Sequence, residues 1–415
     1  MVITPPKSFF LSGRLEPMKQ DQLRKIKVAV GISGGVDSAV AATLLKKQGY
    51  EVTGIHLYCY DEGPYCTAPE DRKMAVRVAK HLGIPLLVWD LRKEYKRKVI
   101  RYFFNEYRAG RTPNPDVMCN REIKFGIFLE RALKELKVDY IATGHYARIV
   151  DSLQLTAHSK SKDGVVGSAM SCKLRTKDVE HRYYLLRGLD ETKDQSYFLY
   201  TLTQKQLGHI LFPIGDYMKK EVRKMAKKWK IPSADRPDSQ GICFIGPVPI
   251  SKFLREKLPV RKGLVVNTKG EIVGEHDGVW FFTEGQRHGF KVFKSSGLPL
   301  YVVGKDVLSN TLVVGRGEDS KVCQFMVEKP HWIGELEDTM KMRVGVRIRH
   351  LGEIVPAKIL GGEKSADELK VVLKDPVFGV APGQSAVFYK KSEVLGGGII
   401  QNTKPCHWRN ALIDC

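Results

Sequence analysis

The chain has 415 residues, 43% of them apolar and 9% aromatic, and its 68 Lys and Arg against 46 Asp and Glu give a formal charge of +22. That length holds two or three domains with adequate cores, and the composition is that of an ordinary soluble protein. The charge surplus favours a polyanionic partner, with nucleic acid ahead of a membrane because no amphipathic Lys-rich helix or long apolar span is present; excess charge alone would also keep a protein in solution.

Taken in chain order, Met1 to Gln22 reads as part of a disordered leader over about 1–25, with a cleaved organellar presequence as the alternative. The apolar run Val28-Ala29-Val30 then leads through Gly31-Ile32-Ser33-Gly34-Gly35-Val36-Asp37-Ser38 into a helical pattern that stops at Gly49. A strand passing through a glycine turn into a helix N-terminus gathers unpaired N–H groups where the helix dipole favours negative charge, which makes a phosphate site. Gly34 and Gly35 let the backbone approach an oxyanion, Ser33 and Ser38 add hydroxyl donors, and Asp37 can hold a metal ion that bridges phosphates. The bland alternative is a tight Gly-Gly turn capping an ordinary helix. The loop lacks the Gly-Lys-Ser/Thr ending of a Walker P-loop.

Strands at Val52 to Leu57, Pro85 to Trp89 and Tyr140 to Ala142 alternate with helical patterns from about Glu70 to Leu82, Glu94 to Tyr107 and Lys124 to Leu136. This alternation predicts an α/β domain with a doubly wound parallel sheet over 26–248, whose ligands sit beyond the carboxyl ends of the strands. A Ser-, Lys- and Gly-rich stretch at about 151–180 reads as a surface insertion, and helical text resumes at Thr203 to Leu207 and Lys219 to Lys230. After Gly246 short β-like segments broken by glycines suggest a small central domain over 249–320. Segments such as Val344 to Arg349 and Ser385 to Tyr389 suggest a C-terminal β-barrel over 321–402, followed by a tail at 403–415.

Eight cysteines are spread thinly, with no CxxC pair and no secretory leader, so a reducing compartment is expected and no zinc site. Cys172, Cys323, Cys406 and Cys415 carry no motif and read as ordinary core or surface thiols. Cys59 and Cys66 follow the second strand near the nucleotide end of the sheet, and a metal or iron–sulfur role there would need a third ligand.

The SGGxDS loop resembles the PP-loop of the ATP pyrophosphatases, which split ATP between the α and β phosphates. Further motifs narrow the resemblance. Arg111-Thr112-Pro113-Asn114-Pro115-Asp116-Val117-Met118-Cys119-Asn120 with Ile123-Lys124-Phe125, Ala142-Thr143-Gly144-His145-Tyr146-Ala147-Arg148, Lys193-Asp194-Gln195-Ser196-Tyr197-Phe198-Leu199 and Asp238-Ser239-Gln240-Gly241-Ile242-Cys243-Phe244-Ile245-Gly246 resemble the tRNA-specific 2-thiouridylases, the MnmA family, from about Lys27 to about Ile400.

The resemblance implies a tRNA uridine 2-sulfurtransferase acting at the wobble position of tRNAs of the Lys, Glu and Gln type, with ATP and Mg²⁺. Cys243 matches the family's persulfide carrier and Cys119 the partner that closes a transient disulfide with it. Asp116 matches the general acid/base, and Asn114, Pro115 and Asp116 the base-contacting segment, with the prolines at 113 and 115 expected to disfavour helix and stiffen a loop. The family also implies that backbone at Gly144 borders the nucleotide, that Leu57 stands where a methionine lies beside adenine, and that Lys193, Asp194, Gln195, Arg347 and Arg349 contact tRNA. Alternating strand positions would put both arginines on one face. His145 reads equally as a substrate contact or as a turn histidine satisfied by backbone. The implied partners are tRNA and a sulfur-relay protein or cysteine desulfurase. A monomer is expected, in a bacterial-type cytoplasm or, alternatively, a mitochondrial or other organellar matrix. Two other classes stay open: a PP-loop amide ligase and a non-catalytic RNA-binding protein.

Overall fold

A computed structural model of the chain describes residues 25–63, 66–152, 182–238, 241–293, 297–335, 341–361 and 367–406. The expected leader, most of the insertion and tail, Cys172 and Cys415 lie outside the described residues.

The first domain is built on β1 (Lys27–Gly31), α1 (Val36–Lys47), β2 (Glu51–Tyr58), α2 (Ala68–Leu82) and β3 (Leu86–Asp90). Abutting segments Arg92–Tyr95, Lys96–Ile100 and Arg101–Arg108 form the long helix α3. Segments Pro115–Cys119, Asn120–Phe128, Leu129–Arg131 and Ala132–Leu136 form α4, followed by β4 (Tyr140–Ala142). After the hairpin β5 (Ala147–Asp151) and β6 (Tyr183–Arg187) come α5 (Gln204–Leu207), β7 (Ile210–Leu211) and α6 (Lys219–Lys228). Five of these strands form a parallel sheet in the order β3-β2-β1-β4-β7. Alternate residues of β1 face opposite layers: Val28 and Val30 pack with α1, α2 and α6, whereas Ala29 packs with α3 and α4. The order reverses between β1 and β4, so the ligand crevice of such a sheet opens where the loops after those two strands meet.

One boundary differs from expectation with consequences for the site. The prolines at 113 and 115 do not keep this segment in a loop. Asn114 is an N-cap whose Oδ1 accepts from the Val117 N–H at 3.2 Å, and Pro115 occupies the first helical position, where its missing N–H costs nothing. Asp116 therefore rides on the first turn of α4 and Cys119 on the turn that follows.

Beyond α7 (Ile250–Arg255), strands β8 (Gly263–Asn267), β9 (Ile272–His276), β10 (Lys291–Val292), β11 (Tyr301–Asp306) and β12 (Thr311–Gly315) make a separate sheet in the order β10-β9-β8-β12-β11. The third unit comprises β13 (Lys321–Trp332), β14 (Lys341–Arg347), β15 (Val355–Leu360), β16 (Glu368–Phe378), β17 (Ser385–Lys390) and β18 (Glu393–Pro405). Pairing of β13 with β18 closes these strands into an antiparallel barrel around Phe325, Val346, Ile359, Val371 and Phe388, leaving no free edge except where β6 adds to β18. The same β13–β18 register sets Val322 opposite Pro405. It brings Cys323 and Cys406 to a Cα–Cα distance of 5.1 Å, where they form a disulfide, so the expectation of two ordinary thiols does not hold. Among the described residues no helix is long and apolar enough to cross a membrane.

Candidate active site

The loop between β1 and α1 is held open from several sides. Gly34 has φ +86°, a conformation that glycine adopts without a Cβ penalty, and a Cβ there would lie 2.5 Å from the Asp71 carbonyl oxygen. Arg236 donates to the Gly34 carbonyl at 3.3 Å and is paired with Asp71 at 2.6 Å. Ser33 and Ser38 hydroxyls lie 3.1 Å apart, Ser33 Oγ accepts from the Gly35 N–H, and Ser38 Oγ accepts from the Ser33 N–H. Both hydroxyls thus brace the loop from within. Gly31 ends β1, while the Ile32 and Val36 side chains are core, so these three can serve a ligand only through backbone. His56 Nδ1–H donates to the Ile32 carbonyl at 2.9 Å, and burial keeps that imidazole below its ordinary pKa.

Facing the loop is a cluster of charges. Asp37 accepts from Lys219 Nζ at 2.8 Å on both oxygens and from the Tyr146 hydroxyl at 2.8 Å. Lys219 also reaches Asp238 at 2.8 Å, and Asp238 is held by Arg223 at 2.6 Å and Lys193 at 2.8 Å. Burial pushes the Asp238 carboxyl up, yet Lys193, Lys219 and Arg223 together hold it below the usual carboxylate range. Gly144 lies against the start of α1: a Cβ would fall 2.6 Å from the Ser38 nitrogen and 2.7 Å from the Asp37 carbonyl carbon. Its bareness lets β4 pack onto the helix N-terminus, so its nearest constraint is protein backbone. Leu57 is 8% exposed and belongs to the apolar cluster that contains Cys119 and Phe128.

On the α3–α4 side of the sheet, residues 124 apart in sequence converge: the Cys119 thiol donates to Cys243 Sγ at 3.4 Å. The Cys243 N–H donates to Asp116 Oδ1 at 3.0 Å, and the Tyr95 hydroxyl donates to the Cys243 carbonyl at 2.5 Å. The turn carrying Cys243 is tight: Ile245 and Gly246 N–H groups both bond the Ile242 carbonyl, and Phe244 sits at φ +66°, a costly conformation for a bulky side chain. The hydrogen bond from Cys119 draws the Cys243 thiol below its ordinary pKa, with the Lys124 charge assisting against burial. Burial pushes the Cys119 thiol well up and raises Asp116. The pair thus divides into an ionisable nucleophile and a neutral partner, beside a carboxyl poised to carry a proton.

A Cβ on Gly241, at φ +86°, would lie 1.9 Å from the Gly246 carbonyl oxygen, so this turn tolerates no side chain there. Gly241→Ala is expected to pull Cys243 away from Cys119. An oxidant that crosslinks the two cysteines in the parent protein should then give little of that disulfide in the variant, as read by peptide mass spectrometry. Equal yields would show that the turn does not set the pair's geometry.

Comparison with known proteins fits this geometry. Residues 26–247 match the family model described as tRNA methyl transferase HUP domain, 251–316 the tRNA methyl transferase PRC-barrel domain, and 322–400 the aminomethyltransferase β-barrel domain. The tRNA-specific 2-thiouridylase MnmA of Bacillus licheniformis is 44% identical, over 91% of this chain and 95% of that protein. The MnmA of Pseudoalteromonas translucida is 42% identical, over 91% and 98%, and that of Proteus mirabilis 41%, over 90% and 97%. The chain belongs to the MnmA family.

Several residues that the MnmA resemblance implies as tRNA contacts are differently employed here. Arg347 and Arg349 do not share a strand face, because β14 ends at Arg347 and the chain bends before Arg349. Arg347 is 4% exposed, bonded at 2.6 Å to the wholly buried Asp194 and stacked over Tyr389, while Arg349 is exposed. Asp194 also accepts from the Gly188 and Ser196 N–H groups. Gln195 exchanges two hydrogen bonds with the Tyr146 backbone. Of that segment Lys193 keeps an accessible ammonium, paired with Asp238. Arg347 and Asp194, assisted by the Tyr197 hydroxyl on the Ile348 and Ser385 carbonyls, clamp the barrel to the first domain. Arg347→Ala should therefore destabilise, by at most about 3–5 kcal/mol, the scale of breaking a buried ion pair, because Asp194 loses its close partner and keeps only Arg187 at 3.4 Å and two backbone N–H groups; a lower denaturation midpoint in urea would show it. Arg349→Ala should instead lower the log–log salt slope of tRNA binding by about 1. A stable Arg347→Ala protein would refute the clamp, and an unchanged slope for Arg349→Ala would remove it from the RNA footprint.

Sequence reasoning assigned no role to Lys219, Tyr146, Arg223, Arg236 or Lys124. Lys219 did leave a trace: a lysine at the first position of a helix opposes the dipole unless an anion faces it.

Proposed function

We propose that this chain is a tRNA uridine 2-sulfurtransferase, of class 2.8.1, that adenylates the wobble uridine of tRNAs of the Lys, Glu and Gln type and replaces its 2-oxygen by sulfur. The observation that carries the reading is the 3.4 Å approach of Cys119 to Cys243, with Asp116 bonded to the Cys243 backbone, in a domain whose phosphate loop opens at the same sheet. An amide ligase has no use for that thiol pair, and an RNA-binding protein without catalysis has no use for a braced phosphate loop. Two of the matched domain families are named for methyl transfer, a chemistry for which paired thiols beside a nucleotide loop have no evident role, whereas the MnmA relatives are named for thiolation, a chemistry for which they do.

The uridine 2-oxygen attacks the α-phosphorus of ATP and pyrophosphate leaves, with the loop N–H groups and Lys219 placed to receive the departing charge. Asp37 and Asp238 both meet the Lys219 ammonium beside this loop, and these two hard oxygen donors would hold a Mg²⁺ ion. Bound there, the metal would neutralise charge developing on the phosphate oxygens. The terminal sulfur of a Cys243 persulfide then attacks C2, and AMP departs with the oxygen. Cys119, once deprotonated, attacks Cys243 Sγ, so the bond to the transferred sulfur breaks, 2-thiouridine is released and a Cys119–Cys243 disulfide forms. An external dithiol must reduce that disulfide, and a sulfur-relay protein or cysteine desulfurase must reload Cys243. We place this activity in a monomer in a bacterial-type cytoplasm, or alternatively in an organellar matrix. ATP–pyrophosphate exchange measured with and without tRNA, together with mass spectrometry of the tRNA nucleosides, tests the reading; exchange that depends on an amino acid or a nucleotide instead of tRNA would favour a ligase and overturn it.

A further inference from the structure

Lys124 lies outside the steps just described, yet its position is unusual. In an α-helix a residue five places after Cys119 points about 140° away from it, at 100° per residue. Here Asn120–Phe128, which begins directly after Cys119, is π-helical, and its wider i→i+5 turn rotates Lys124 toward the Cys119 side, where the two groups interact electrostatically. The residue is half-buried, and its ammonium lies 5.9 Å from the centre of the Phe244 ring next to Cys243 and donates to His145 Nε2 at 3.4 Å. His145 in turn has its Nδ1 2.7 Å from Thr143 Oγ1 at the end of β4. Because an ammonium only donates, Nε2 is the acceptor and Nδ1 carries the proton. His145 is thus a neutral prop that aims Lys124 at the sulfur site from the nucleotide side.

We propose that Lys124 is the catalytic cation of the sulfur step, holding the Cys243 sulfur ionised both as thiolate and as persulfide and stabilising the Cys119 thiolate when it attacks. The groups facing it are Asp116 and Cys119 on its own helix, Cys243 on the opposing turn, His145 after β4, and Cys59 and Tyr95 nearby. Burial alone would depress the ammonium, but the facing anionic groups, Cys243 first among them, outweigh burial and raise its pKa, so it stays charged across neutral pH. Burial and then the Lys124 charge hold His145 well below the ordinary imidazole range, which rules it out as a competing cation. For Cys59 burial dominates and pushes the thiol well up, leaving it neutral.

The inference rests on the sulfurtransferase reading for its purpose, and its test does not. Iodoacetamide alkylation of the Cys243 peptide is followed against pH by mass spectrometry, in the folded protein without ATP or tRNA, so its failure is distinct from failure to find 2-thiouridine in tRNA. Only thiolate reacts, and a one-unit rise in pKa costs about tenfold in rate on the acid side of the titration. Lys124→Met, or Lys124→Gln if the methionine variant does not fold, is expected to slow alkylation at neutral pH at least about tenfold and to move the midpoint up, whereas Lys124→Arg should keep most of the parent rate. A folded Lys124→Met or Lys124→Gln protein with the parent profile overturns the proposal. So does a parent protein whose Cys243 titrates no lower than a free thiol, a result that needs no variant at all.

Discussion

Cys243→Ser is expected to leave no 2-thiouridine in tRNA while tRNA-dependent pyrophosphate release continues near the parent rate. The two parts of that result come from separate structures within one domain. Adenylation draws on the loop between β1 and α1 and on the charges at Asp37, Lys219 and Asp238, none of which touches the Cys243 side chain. Sulfur carriage draws on a thiol that bonds Cys119 and sits beside Lys124. A serine hydroxyl fits the same turn, keeps the backbone bond to Asp116, and cannot carry a sulfane sulfur. Loss confined to the transfer step removes an interaction made after activation, so adenylated tRNA should accumulate in the variant. Substantial 2-thiouridine made by Cys243→Ser would sink the assignment of the carrier. Loss of both half-reactions would mean that the turn at Cys243 also shapes the nucleotide site.

The phosphate loop was legible in the sequence because its pattern is local: eight consecutive residues between an apolar run and a helical pattern carry the glycines, serines and aspartate that mark it. The parallel sheet followed from βα alternation, and the barrel from short segments between glycines. Contacts at long range were not legible. Asp37 and Lys219 stand 182 residues apart, and nothing near either names the other. Arg347 was misread because period-two alternation was carried past the end of β14, and because a buried carboxylate 153 residues away had already taken its guanidinium. Pro115 was misread because the same fixed φ that breaks a helix interior suits a first helical position, and only the Asn114 cap decides between them. The cysteine pair was found through family motifs; its geometry depends on the start of α4 and on the tight turn at Gly241 to Gly246, two local structures whose meeting no composition or periodicity signals.

The phosphate loop itself yields the other large effect. Gly34→Ala places a Cβ 2.5 Å from the Asp71 carbonyl oxygen and 3.0 Å from Arg236 Nη1 at a backbone angle of +86° that alanine rarely adopts. The loop must therefore move, and the N–H groups it aims at the phosphates move with it. Gly35→Val acts differently: its Cβ meets only Ser33 Oγ at 3.3 Å, so the loop survives and the branched side chain blocks the approach of phosphate instead. Asp37→Ala removes the carboxylate shared by Lys219 and Tyr146 and leaves Asp238 to hold that lysine alone. Each change is expected to cut tRNA-dependent pyrophosphate release by about 10²–10³, the scale seen when one preorganised electrostatic partner of a reacting group is lost. Persulfide should still form on Cys243 in all three when a donor is supplied, because its sulfur chemistry lies on the other side of the sheet. Cold alkylation and mass spectrometry of the Cys243 peptide read that arm directly. A folded Asp37→Ala protein that released pyrophosphate at the parent rate would refute the phosphate-loop assignment and the adenylation step with it, whatever became of the cysteines.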